Sequence, residues 1–178
     1  MIINIYKPKG ITSFGVVKKI RKIVDEKKVG HGGTLDPFAT GVLPLMAGKS
    51  MKLTKGILKT DKTYIAVLKF AQETDIEALN DVVSKLTGRI YNVPPEISAV
   101  KVQVRTRKIY NFELIEATGM QAIVKIACEA GTYIRTIARD MGLLLGYNVE
   151  LKELRRENSG RFNLSDCVTL QEIADAVW

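Results

Sequence analysis

Residues 30–44 read GHGGTLDPFATGVLP. The glycines at 30, 32 and 33 let the backbone approach a ligand closely or take positive φ. Asp36 stands between this glycine-rich turn and Pro37, whose ring restricts the residue before it. A carboxylate fixed on such a loop is a candidate nucleophile or base. Taken alone, an Asp-Pro pair beside glycines is most simply a turn.

The stretch is flanked by regular structure. A short strand over Val42–Ala47 leaves it on the C-terminal side. Upstream, residues 2–6 (IINIY) read as a strand and Lys7-Pro8-Lys9-Gly10 as a turn. Ser13 is the expected cap of a helix over about 14–26, with Val16, Val17, Ile20, Ile23 and Val24 on one face. Downstream, 63–70 (TYIAVLKF) alternates as a strand. Thr74 with Glu77 predicts a capped helix to about Leu86. The stretch 92–98, with Pro94-Pro95, is extended, and 107–116 and 121–129 are two strands around Gly119. The clearest helix is 132–145, where Ile134, Ile137, Ala138, Met141, Leu144 and Leu145 recur at helical spacing and Gly146 ends it. Arg135 and Arg139 fall off that apolar stripe. A last helix follows Thr169, capped with Glu172. Hairpin-like strands mixed with helices predict a mixed α/β chain of the α+β type.

Composition sets the outer bounds. The 178 residues are 46% hydrophobic and 26% charged, which excludes a wholly disordered, collagenous or small disulfide-scaffold protein. No apolar run approaches the roughly 20 residues of a membrane-spanning helix. The start, MIINIYKPKG, has no basic and apolar leader pattern, and Cys128 and Cys167 form no metal-ligand spacing. A reducing, cytoplasmic setting is therefore expected. The net charge is +8, but residues 1–62 hold 13 Lys/Arg against 4 Asp/Glu and residues 63–178 hold 14 against 15. The whole excess lies in the first third, which suits a polyanionic partner such as RNA; the plainer reading is a solvated basic helix face.

The loop resembles the motif of the TruB family of tRNA pseudouridine synthases, close to GHxGTLDPxATGVLP, with thirteen positions in register from Gly30 to Pro44. Further matches follow in order: Lys7-Pro8-x-Gly10-x-Thr12-Ser13; Lys62-Thr63-Tyr64; Val93-Pro94-Pro95-x-x-Ser98-Ala99-x-Lys101; Gly131-Thr132-Tyr133-Ile134-Arg135-x-x-Ala138-Arg139-Asp140-x-Gly142; and Leu151-x-x-Leu154-Arg155-Arg156. The resemblance covers about residues 1–165.

It implies one pseudouridine synthase catalytic domain over 1–178, a bent, mainly antiparallel mixed sheet flanked by helices, with an RNA-binding cleft. The implied reaction breaks the N1–C1′ bond of a uridine, rotates the base and joins C5 to C1′, at the T-loop uridine (position 55) of tRNA. Asp36 matches the essential carboxylate, Arg135 its cationic partner, and Tyr64 the tyrosine that stacks on a flipped-out uracil. His31, Gly33, Thr34, Lys7, Lys52, Tyr133 and Leu154 match substrate-binding or pocket positions. Without the match, Arg135 would read as a surface helix arginine, Tyr64 as core and His31 as a solvated loop histidine. The implied partner is the T-arm stem-loop of tRNA. No cofactor, metal, membrane or protein partner is implied, and a monomer is expected.

The chain departs from the family pattern after Gln72 and after Val102, where RNA-facing segments are short, and Ile97 replaces an aromatic residue. Residues left out of the sequence, rather than true deletions, are the expected reason. Relatives usually continue into a C-terminal RNA-binding domain, often PUA-like, which these 178 residues do not include. Two other readings compete. Leu43–Ser50 ends in Gly-Lys-Ser like a phosphate-binding loop, but Leu43 stands where the first glycine belongs and Pro44 lacks an N–H. A non-catalytic RNA-binding module of the same fold, or a synthase for another RNA, would share the charge, although a pure binder has no need of Asp36, Tyr64 and Arg135 together.

Lys7, Lys9, Lys18, Lys19, Lys22 and Lys52 are the candidate phosphate contacts. As a group they predict that affinity for a T-arm stem-loop falls steeply with added salt, with a log–log slope of about −0.7 to −0.9 per contact. Fluorescence anisotropy across a salt series measures it, and a flat series removes the cluster from the interface.

Overall fold

The computed structural model describes residues 1–96 and 103–177. Along the chain run β1 (Ile2–Lys7), α1 (Ser13–Ile23), β2 (Val29–His31), β3 (Thr40–Ala47), a 3₁₀ turn (Gly48–Leu53), α2 (Thr54–Leu58), β4 (Lys62–Phe70) and α3 (Ile76–Lys85). Then come β5 (Gly88–Asn92), β6 (Arg105–Thr118), β7 (Gln121–Cys128), α4 (Ile134–Leu145), β8 (Val149–Ser159), β9 (Phe162–Asn163), a second 3₁₀ turn (Leu164–Asp166) and α5 (Leu170–Val177). Strand pairing is mainly antiparallel, so the α+β expectation holds. The residues gather into two compact units. One is Met1–Lys62 together with the chain from Arg155 onward; the other is Thr63–Leu154.

In the first unit β3 is central. β1 lies along one edge, antiparallel, from Ile2↔Met46 to Lys7↔Gly41. Its other edge is shared. β2 pairs antiparallel at one end, Val29↔Ala47 to His31↔Leu45, and β8 pairs parallel at the other, Thr40↔Arg155 and Gly41↔Arg156. The chain between β2 and β3 is the loop that carries Asp36. β3 is buried along nearly its whole length, as its run of Val42, Leu43, Leu45 and Met46 requires. α1 buries Val16, Val17 and Ile20. Residues 167–169 pair with the free side of β1, Tyr6 N–H donating to Val168 O at 2.9 Å and Val168 N–H to Asn4 O at 2.9 Å. α5 then starts with the predicted reciprocal cap, Glu172 N–H to Thr169 Oγ1 at 3.1 Å and Thr169 N–H to Glu172 Oε2 at 2.6 Å.

In the second unit the strand order is β8-β4-β7-β6-β5. β4 alternates as expected, with Tyr64, Ala66, Leu68 and Phe70 buried. β6 and β7 form the predicted hairpin, with register shifts at Ile109/Asn111 and Leu114/Glu116. α3 packs against α4, and Leu79, Ile137 and Met141 are buried in their faces. Gly146 ends α4 in the left-handed conformation, φ 87°.

Several expectations are corrected. Thr12, not Ser13, caps α1, its hydroxyl accepting Gly15 N–H at 2.9 Å. Asp75, not Thr74, caps α3; the Thr74 hydroxyl instead accepts from Tyr147 at 2.9 Å. β5, β8 and the turn and helix over 48–58 appear where no element was assigned. The short connection after Gln72 is closed by Ala71 N–H to Asn148 O at 3.0 Å and Thr74 N–H to Gly119 O at 3.4 Å. The Gly-Lys-Ser run is a turn in which Ser50 Oγ accepts Ala47 N–H at 3.0 Å and donates to main-chain carbonyls. Ile97, Ser98, Ala99, Lys101 and Val102 lie outside the described residues.

Gly41 makes the parallel contact possible. Its φ is 109°, and a Cβ there would collide with the Arg156 carbonyl and stand 2.8 Å from its amide nitrogen. Gly41→Ala is expected to lower stability by about 3 kcal/mol through strain and displacement of β8. Urea unfolding measures the loss.

Candidate active site

Asp36 sits half-buried in the first unit, on the loop between β2 and β3. The loop leaves β2 with Gly32 N–H bonded to Pro44 O at 2.8 Å. A Cβ on Gly32 would overlap Ile57, so this close approach to α2 needs glycine. The residues on either side of Asp36 are tied by the first thirteen residues of the chain. Because Thr12 supplies the helix cap, Ser13 is free to turn inward. Its buried hydroxyl accepts Leu35 N–H at 2.9 Å and donates to Leu35 O at 3.1 Å. Pro37 O accepts Gly10 N–H at 2.7 Å and the Lys7 ammonium at 3.3 Å. Asp36 O accepts Ala39 N–H at 2.9 Å, turning the chain toward β3.

Lys7 is fully buried, and its ammonium also donates to Pro8 O at 2.8 Å and Ile11 O at 2.7 Å. Its expected place at a phosphate is therefore corrected: the cation faces main-chain carbonyls and the charge of Asp36. Burial pulls its pKa down to about 8, against an opposing pull from Asp36. Lys9, Lys18, Lys19, Lys22 and Lys52 are all exposed. Lys52 stands on the 3₁₀ turn, and Lys18 and Arg21 lie 4.9 and 5.9 Å from the ring centre of exposed Phe14.

On the same loop, His31 is half-buried and Thr34 exposed. His31 Nδ1 accepts Gly33 N–H at 3.3 Å, and burial, then the charge of Arg156, push its pKa below the ordinary value. Both effects, and the use of Nδ1 as an acceptor, favour the neutral imidazole. Arg156, quoted above only as part of a motif, is buried with Nε donating to Val42 O at 2.8 Å and Nη2 to Gly33 O at 2.9 Å.

In the second unit Tyr64 is buried in β4 and Leu154 in β8. Tyr133 and Arg135, both half-buried, open α4. Asn92, which the sequence reading passed over, organises that turn. Its Oδ1 accepts Tyr133 N–H at 2.8 Å, and its Nδ2 donates to Tyr133 O at 3.2 Å and Thr136 Oγ1 at 2.9 Å. Only its position at the end of a strand, ahead of Pro94-Pro95, hinted at this. The sequence-predicted set thus divides between the units: Lys7, His31, Gly33, Thr34, Asp36 and Lys52 in the first, and Tyr64, Tyr133, Arg135 and Leu154 in the second. Among the described residues, no group of three or more His, Cys, Asp or Glu could hold a metal ion.

Lys7 gives a signed pH dependence. Its amine holds a proton up to about 8 when folded and up to 10.5 when unfolded. Between these values the unfolded chain binds more protons, so this part of the stability rises with pH. From pH 7.5 to 9.5 the native chain is expected to gain about 1–2 kcal/mol relative to Lys7→Met in paired urea titrations. Parallel curves for the two proteins place the amine in water.

Comparison with known proteins bears on the same residues. Residues 21–134 match the family model "TruB family pseudouridylate synthase (N terminal domain)", and 135–178 match "tRNA pseudouridylate synthase B C-terminal domain". A "Probable tRNA pseudouridine synthase B" of Pyrobaculum calidifontis is 44% identical over 172 residues, 97% of this chain and 52% of the relative. The chain therefore spans about half the length of the curated relatives it matches. Among solved structures, a Cbf5-Nop10-Gar1 complex contains a chain of TM-score 0.92 and 39% identity, covering 98% of this chain and 53% of that one. An H/ACA RNP bound to a substrate RNA containing 2'-deoxyuridine contains one of TM-score 0.88 and 36% identity, covering 98% and 52%. With family models that together run from residue 21 to the last residue, and with this degree of identity, the chain belongs to the TruB family of pseudouridylate synthases.

Proposed function

We propose that the chain isomerises uridine to pseudouridine in the T-loop of tRNA, with Asp36 as the reacting carboxylate. The observation that carries the reading is the Asp36 loop. Its family-matching positions fold into a half-buried turn in which both neighbours of the aspartate are tied to fixed groups. A carboxylate held in this way loses little freedom on reaching the reacting geometry.

The reaction is an internal exchange. The N1–C1′ bond breaks, the uracil turns, C5 bonds to C1′, and the proton leaving C5 is balanced by one gained at N1. Asp36 acts as nucleophile or as base in that sequence. Tyr64 is proposed as the aromatic platform for the uracil, Arg135 as a cation favouring the charged carboxylate form, and Tyr133 and Leu154 as lining residues. His31, neutral and on the same loop as Asp36, serves binding by hydrogen bonding rather than by charge. The exposed Lys9, Lys18, Lys19, Lys22 and Lys52 supply phosphate contacts.

A second reading has a specific observation behind it. The solved structures at TM-scores of 0.92 and 0.88 are of complexes, one with Nop10 and Gar1 and one an H/ACA RNP with its substrate RNA. On that reading this chain modifies another RNA with the help of partner proteins and a second RNA.

Pseudouridine formation on an unmodified tRNA transcript, mapped by carbodiimide adduct and primer extension, tests both. The native chain alone is expected to give a stop at the T-loop uridine, and Asp36→Asn none. Tight tRNA binding with no stop from either protein refutes the stand-alone reading. A stop that appears only when partner proteins and a second RNA are added establishes the second.

A further inference from the structure

We propose that Arg156 is a positioning residue for Asp36: its buried guanidinium fastens both ends of the loop that carries the carboxylate and holds His31 in place on it. The proposal rests on the role given to Asp36 above.

The geometry is direct. Asp36 lies between Gly33 and Val42 in sequence, and one planar group reaches the carbonyls of both, Nη2 to Gly33 at 2.9 Å and Nε to Val42 at 2.8 Å. The Arg156 backbone holds the same end of the loop, since Gly41 pairs with it in parallel register. The side chain is 1% exposed, so water cannot replace these bonds when they open. A buried guanidinium is costly unless its donors are met, and the two carbonyls offset that cost only while the loop keeps this shape. The cation and the loop conformation therefore stabilise each other.

His31 links the clamp to the ligand side. The residue whose carbonyl Arg156 holds, Gly33, also gives its N–H to His31 Nδ1 at 3.3 Å. With Nδ1 as acceptor, the neutral ring carries its proton on Nε2 and presents a donor. The positive charge of Arg156 opposes a second proton on the ring. Lysine cannot reproduce this, because an ammonium lacks the planar fork that spans two fixed acceptors.

The test uses the 178-residue chain with Arg156→Met, Arg156→Lys and, as a control for plain destabilisation, Val124→Ala, a core change in β7 of the other unit. Turnover is measured on the tRNA transcript well below every melting temperature, and the imidazole is followed by nitrogen NMR, in which the single histidine needs no assignment. Arg156→Met is expected to lower kcat about 100-fold with KM changed less than about threefold, as a misplaced reacting group does. Arg156→Lys, which keeps the charge, is expected to lose at least about tenfold in kcat, and it carries the kinetic test if the Met variant does not fold. His31 should titrate higher in Arg156→Met than in the native chain and unchanged in Val124→Ala, which should keep kcat within about threefold despite a lower Tm. If the Arg156 variants lose no more kcat than Val124→Ala, or if His31 titrates as in the native chain after Arg156→Met, Arg156 is only a stabilising residue. If the native chain itself forms no pseudouridine, the role of Asp36 fails, and the His31 titration in Arg156→Lys, where the charge is kept, still decides whether the guanidinium holds the loop: a shift supports it, and a native titration overturns it.

Discussion

The tying of Leu35 and Pro37 governs the first unit. A loop rich in glycine is the part of a chain that loses most conformational freedom on folding. Here that cost falls next to the residue on which the proposed chemistry depends. It is met by bonds to Leu35 N–H and O and to Pro37 O, supplied by Ser13, Gly10 and Lys7. These bonds all go to backbone groups beside Asp36. They fix the peptide on each side and so fix where the carboxylate leaves the backbone. The closeness of α1, β1 and the loop follows from this, since the donors must sit within one hydrogen-bond length of a turn some twenty residues later in the chain.

Buried cations recur in that unit. Lys7, Lys62 and Arg156 are each at most 5% exposed. Lys62 donates to Ile57 O and Thr60 O as Lys7 does to Pro8 O and Ile11 O. Irregular backbone leaves carbonyls that no ladder satisfies, and a long cationic side chain can collect several at once. The charge counted along the first third of the sequence therefore overstates what a polyanion would meet. Lys7 and Lys62 hold the loops together, and the electrostatic footprint falls to exposed lysines such as Lys18, Lys19 and Lys22.

What the sequence made legible was whatever depends on neighbours in sequence. α4, the β6–β7 hairpin, β4 and the Thr169–Glu172 cap were readable because periodicity and capping are local. β8 was not. Its residues, VELKELRRENS, are crowded with charge and would favour no strand alone; it is a strand because Thr40 and Gly41 pair with it. The caps failed by one residue in each direction for the same reason. Ser13 and Thr74 are good caps, but distant partners, Leu35 and Tyr147, claim their hydroxyls. Motif matching singled out Asp36, Tyr64 and Arg135 as candidates without any such knowledge, yet gave no reason for Asn92 or for the inward turn of Lys7, which only three-dimensional bonding explains.

The first unit is discontinuous, and this has a consequence for how the protein is made. The bonds from Arg156 to the Asp36 loop join residues 114 and 123 positions apart, and Val168 is needed to complete the edge of β1. Residues 63–154, by contrast, are one uninterrupted stretch. A chain emerging from the ribosome can assemble that stretch while the segment carrying Asp36, made earlier, still waits for its last partners. Order of synthesis and order of completion are reversed, and long-range closure of this kind is slow relative to local folding. The Asp36 loop is therefore among the last parts of the molecule to take shape, and a nascent chain that stalls before Arg156 carries every glycine of the motif but not the group that shapes them.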